Sequence, residues 1–155
     1  MTVLQRITAL LDSHGVKYDV AHHAPVFTSE EAARVRGTSL ASGAKALVCK
    51  TGGRFVLFVM PGDRRLDGKA VRQAFGLKGV RFASREEVAE LTTLAPGSIP
   101  PFGKLFGLVT YCDEHLAEQL RINFNAGDHA VSVSMSFADY QRVEQPAMGR
   151  FAGSA

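Results

Sequence analysis

The segment Phe55-Val56-Leu57-Phe58-Val59 has no polar face. A strand that is apolar on both sides belongs in the middle of a sheet covered on both faces, so helices must flank it. It is preceded by a second β-rich run. Ala44 to Lys50 and Arg54 to Met60, joined by Thr51-Gly52-Gly53, predict a hairpin. Helical periodicity supplies the cover: Val3, Leu4, Ile7, Leu10 and Leu11 form one stripe that stops at His14-Gly15. Thr28-x-x-Glu31 and Ser84-x-x-Glu87 are capping boxes for helices reaching Gly37 and about Leu91. Asp67 caps a helix through Phe75, Asp113 a short one to about Gln119, and Phe137 to Val143 is the last. Short strands are expected around Tyr18 to Val20, Val80 to Phe82, Leu105 to Cys112, Ile122 to Phe124 and Val131 to Met135.

These elements interleave within 155 residues of which 46% are apolar, which predicts one mixed α/β domain over 1–155 with a loose tail from about 145. Two separate enzymatic domains are excluded by length. Cys49 and Cys112 lie in apolar runs and fit reduced core thiols, not a disulfide framework. The first thirteen residues interleave apolar positions with Gln5, Arg6 and Asp12, unlike a signal peptide, and no run approaches about 18 apolar residues. A cytoplasmic protein without a membrane partner is expected. The formal charge of +3 permits a polyanionic partner without proving one.

Common catalytic signatures are missing. His14, His22, His23, His115 and His129 show no metal-ligand spacing, and the two cysteines are far apart in different strands, so no metal and no cofactor is expected. There is no phosphate-binding glycine motif and no G-x-S-x-G nucleophile turn. Three features remain. Lys45 sits inside a strand among small and apolar neighbours; either its ammonium snorkels into solvent or it looks into a recess where it can hold an anionic or carbonyl oxygen. Gly97-Ser98-Ile99-Pro100-Pro101-Phe102-Gly103 is a stiff bend with free ends, either a surface connector or a loop presenting backbone groups to a cavity. Phe124-Asn125-Ala126-Gly127-Asp128-His129 gathers an amide, a carboxylate and an imidazole, as an ordinary turn or as part of a site.

In this order, with His23-Ala24-Pro25-Val26 and Val35-Arg36-Gly37-Thr38, these segments resemble the YbaK/prolyl-tRNA synthetase-associated editing domains, and within them the YeaK-like branch. The resemblance implies a curved, largely closed mixed β-sheet with peripheral helices. It also implies a deacylase acting on mischarged aminoacyl-tRNA, in that branch seryl- or threonyl-tRNA, alone or beside an aminoacyl-tRNA synthetase. DNA is not an expected partner. Lys45 matches the essential lysine of the family and Gly97 to Pro101 its G-x-x-x-P loop. On this reading the backbone of Gly97 and Ser98 orients the α-amine and carbonyl, while Lys45 anchors the terminal adenosine and steadies negative charge. Thr28 or Asn125 would bond a substrate hydroxyl, with Ala44, Ala46 and Ala126 keeping the pocket small. His23, Pro101, Gly127 and His129 complete the candidate pocket, although His129 matches no family position. Arg64, Arg65, Lys69, Arg72 and Lys104 are the candidate phosphate contacts. The alternatives are deacylation of alanyl- or cysteinyl-tRNA for proline, and a non-catalytic module that binds tRNA or a synthetase.

Overall fold

The computed structural model describes residues 1–154. Its helices are α1 (Val3–Ser13), α2 (Ser29–Arg36), α3 (Gly68–Phe75), α4 (Arg85–Thr92) and α5 (Phe137–Glu144). The strands are β1 (Tyr18–His22), β2 (Ala44–Thr51), β3 (Arg54–Pro61), β4 (Arg64–Leu66), β5 (Arg81–Phe82), β6 (Val109–Asp113), β7 (Arg121–Asn125), β8 (Val131–Ser136), β9 (Ala147–Gly149) and β10 (Ala152–Ser154). Thr28, Asp67 and Ser84 each cap the helix that follows through a side-chain oxygen, as their sequence patterns require, and Ser136 caps α5 in the same way.

β3 occupies the centre of a five-stranded sheet of order β5-β2-β3-β6-β9. It runs antiparallel to β2 and parallel to β6. Alternation divides its side chains between two cores. Leu57 and Val59 join the larger one with Ile7 and Leu11 of α1, Val88 of α4 and Tyr140 of α5. Val56, Phe58 and Met60 join the smaller one with Val71 of α3 and Phe151. Both faces of the apolar strand are therefore dry, as its composition demands.

The mixed α/β class holds, but the strands pair as three sheets, adding β1-β8-β7 and β10-β4 to the central five. A single largely closed sheet is not what the pairing shows. Gly43, just before β2, forms an isolated bridge with Asn123 of β7, and β2 pairs with β5 over only two residues, so its outer edge is covered at its ends.

Two expectations about the C-terminal half are corrected. The strand placed at Leu105 begins at Val109, because Gly103–Phe106 coils into a 3-10 turn closed by left-handed Gly107, and the Gly103 N–H bonds Thr110 Oγ1 at 3.1 Å. The tail from about 145 is not loose over its described length. β9 pairs with β6 and β10 with β4, a three-residue strand that the sequence pattern also hid. The buried Asp113 carboxylate explains the anchoring: its Oδ1 accepts the N–H groups of Phe151 and Ala152, both at 3.0 Å, while Oδ2 accepts from the backbone of His115. Phe151 then stacks against Phe58 and Phe75. Ala155 lies outside the described residues.

Asp113→Ala leaves two buried N–H groups without an acceptor, which should destabilise the protein by about 3 kcal/mol or more. Urea unfolding measures the loss, and amide exchange should quicken first at Phe151 and Ala152.

Candidate active site

β2 carries its neighbours in small steps. Ala44, Ala46 and Val48 face the larger core, while Lys45 and Leu47 point the other way. Alanines at that spacing leave a hollow of about 200 Å³ between β2, the first turn of α2 and the Gly97 bend. Its wall brings together Lys45, Ala46, Thr28, Gly97 and Asn125 of the expected site, and adds Arg36 and Ile99.

The hollow holds two cations and no carboxylate. Among the described residues the Lys45 ammonium has no hydrogen-bond partner. Burial pushes its pKa down, Glu30 and Asp63 oppose the shift, and Arg65 adds to it. Arg36 ends α2, where a cation complements the helix dipole. Its guanidinium is drawn inward instead, and burial pushes it down to about 10. Nε donates to Ser132 Oγ at 2.8 Å and one terminal nitrogen to Asn125 Oδ1 at 2.9 Å. The other terminal nitrogen faces Gly43, where a Cβ would stand 3.7 Å away.

The bend is clamped by its carbonyls. Asn125 Nδ2 donates to Gly97 O at 2.7 Å, the Gly127 N–H to Ser98 O at 2.8 Å, and the Tyr140 hydroxyl to Pro101 O at 2.7 Å. Gly97 adopts φ +89°, which favours glycine, and a Cβ there would also press on His129 Cε1 at 3.3 Å. With the carbonyls held, the N–H groups of Gly97 and Ile99 are left without a protein partner among the described residues, and both residues line the hollow.

Several expected residues act from behind the wall. Ser98 is buried and does not line the hollow; its N–H and hydroxyl both bond Ala95 O, at 3.2 and 2.8 Å, so Ile99 takes the place expected of it. His23 bonds Ser132 Oγ through Nε2 at 2.7 Å. His129 bonds Val26 O at 3.0 Å and stacks on Phe27 while backing Gly97. Pro101 and Gly127 hold the bend, and Ala126 is a core residue. The Thr28 hydroxyl caps α2 by accepting the Glu31 N–H at 3.1 Å, so it reaches the hollow already engaged. Asn125 has both ends of its amide in use. Arg65, Lys69 and Arg72 are exposed on β4 and α3, with Arg64 partly so. Lys104 departs from expectation, because its ammonium donates to Val143 O at 2.6 Å in the last turn of α5. Arg36 lies in one of the segments that carry the resemblance, but its sequence does not single it out as a site residue, because a basic residue before a helix-ending glycine reads as an ordinary terminus.

A second hollow, also about 200 Å³, abuts the first and shares Ala46, Leu47, Gly97 and Ile99 with it. Its remaining wall is apolar. Among the described residues, no three His, Cys, Asp or Glu side chains gather as a metal site, and no helix is long and apolar enough to cross a membrane.

A cationic hollow with free backbone N–H groups in its wall can hold an anionic or carbonyl oxygen. Residues 23–143 match the aminoacyl-tRNA editing domain, and the chain belongs to that family. It is 38% identical over 156 residues to the multifunctional Ser/Thr-tRNA deacylase ProXp-y of Escherichia coli (strain K12), covering 97% of this chain and 93% of that one. An 82-residue stretch is 38% identical to part of the proline–tRNA ligase of Bacillus licheniformis, 53% of this chain and 14% of the ligase. The crystal structure of a candidate trans-editing enzyme for prolyl-tRNA synthetase superposes with a TM-score of 0.84 at 25% identity, over 97% of each chain.

Asn125→Leu strands the Gly97 carbonyl and one Arg36 donor. A stability loss of about 1 to 3 kcal/mol is expected, with faster amide exchange at Gly97 to Ile99 than in wild type.

Proposed function

We propose that this chain hydrolyses the ester of wrongly charged tRNA, with seryl and threonyl esters preferred. The single observation that carries the reading is the composition of the hollow: Lys45 and Arg36 with no carboxylate, two free N–H groups, and side walls of Ala32, Ala44 and Ala46. Such a wall favours charge that develops on an ester carbonyl oxygen and admits a small side chain.

Water attacks the carbonyl carbon, the carbonyl oxygen takes up negative charge, and the bond to the ribose oxygen breaks. The attacking water gives up a proton, which the vicinal hydroxyl relays to the leaving ribose oxygen. The N–H groups of Gly97 and Ile99, held rigid by the clamped carbonyls, donate to the developing oxyanion together with Arg36. Lys45 anchors the terminal adenosine through its ribose or phosphate and adds to the same field. A wall with no carboxylate receives the substrate's α-amine in its neutral form. The need for such a step is physical, since one methylene changes binding by only about 1 to 3 kcal/mol and synthetases therefore confuse small amino acids.

The likeness to ProXp-y supports the choice of serine and threonine over alanine and cysteine. The match to a stretch of a proline–tRNA ligase supports action beside a synthetase in the cytoplasm. The acceptor stem is held through its phosphates by Arg64, Arg65, Lys69 and Arg72.

Lys45→Ala should lose about 10²- to 10³-fold in deacylation rate, the usual effect of removing one electrostatic contact; activity above about a tenth of wild type would overturn the assignment. The rate should also fall as pH rises through the Lys45 pKa, because only the ammonium acts, and burial moves that fall below the ordinary lysine range. A panel of esters tests the pocket. Seryl- and threonyl-tRNA should be cleaved well ahead of leucyl-tRNA, whose side chain exceeds the alanine-lined wall.

A further inference from the structure

Between the two hollows runs the middle of β2. The Val48 carbonyl points away from β3 and accepts the Ala83 N–H at 2.9 Å. Backbone groups alternate sides along a strand, so Ala46 turns its own N–H and C=O toward that same side. No strand reaches them there. β5 pairs only with Cys49 and Lys50, and the bridge from β7 stops at Gly43. Ala46 is only 7% exposed, so among the described residues β2 presents an unmatched donor and acceptor at a nearly buried position. Buried backbone groups of this kind need a partner, which an incoming ligand can supply.

Ala46 lines both hollows, and the second differs in character from the first. It is walled by Val48, Ala83, Val88, Pro96 and Phe82, with no charged side chain. Phe82 is 63% exposed although it lies in a paired strand. An exposed aromatic ring beside an apolar slot is a stacking platform for a nucleobase.

We propose that the second hollow takes the adenine ring of the substrate's 3′-terminal adenosine, stacked on Phe82 with its polar edge on the N–H and C=O of Ala46. This inference rests on the deacylase reading, because the ester supplies the geometry. Ester and base are joined through a single ribose, so the base must enter a compartment adjoining the ester's, and the two hollows share the walls Ala46, Leu47, Gly97 and Ile99. Adenine carries an amino donor beside a ring-nitrogen acceptor, the complement of a strand's N–H and C=O. The shared wall at Gly97 bears no side chain, which leaves the ribose room to bridge.

The test is binding of AMP to the full chain, followed by amide chemical shifts and calorimetry, with UMP for comparison. AMP should shift Ala46, Phe82, Ala83 and Val88 and bind more tightly than UMP. Phe82→Ala removes an exposed ring and should weaken AMP binding about 5- to 150-fold, the range for one lost base stack, and raise the KM for seryl-tRNA by a similar factor; Phe82→Trp should restore both. Shifts confined to Lys45 and Arg36, or equal AMP affinity in wild type and Phe82→Ala, would overturn the subsite. If AMP binds as described while wild type leaves seryl-tRNA intact, the subsite stands and the deacylase reading fails.

Discussion

The amide of Asn125 joins three parts of the molecule: its oxygen is on Arg36 at the end of α2, its nitrogen on the Gly97 carbonyl, and its backbone in β7. That junction ties the Gly97 bend and Arg36 to the same wall of the hollow. It holds the Gly97 carbonyl, while the N–H groups of Gly97 and Ile99, two residues that line the hollow, have no protein partner among the described residues. It also pulls a guanidinium inward. Gly127 and Tyr140 repeat the same device farther along, so that a segment without regular secondary structure is held at the carbonyls of Gly97, Ser98 and Pro101.

Drawing two cations into a wall without a carboxylate is unfavourable for folding, and the lowered pKa values of Lys45 and Arg36 report that penalty. The remainder of the fold compensates. β3 is dry on both faces, and Asp113 fixes the C-terminal segment over the smaller core. Unmatched charge is thus concentrated where a substrate can relieve it, which is the usual place for it.

Much of the frame could be read along the chain, because it rests on local rules. Three helix caps follow from Thr28, Asp67 and Ser84, and the central hairpin from two β-rich runs around Gly52-Gly53. Lys45 and Gly97 stood out because each is out of place for its local element, and both line the hollow. The short strands β4, β9 and β10 were hidden, since three residues show no periodicity and their stability comes from partners distant in sequence.

The division among the site residues has the same cause. Residue types alone specified a buried hairpin, a cation on its first strand and a stiff glycine-proline bend, because propensity and alternation act over a few neighbours. Only packing decided which polar groups remain free. Ser98 turns back to Ala95 and Lys104 to Val143, while Arg36, an ordinary helix terminus by its sequence, is brought into the hollow by Ser132 and Asn125 from 96 and 89 positions away. A hydrogen bond depends on atoms meeting in space, and that meeting is set by how β7, β8 and α2 dock.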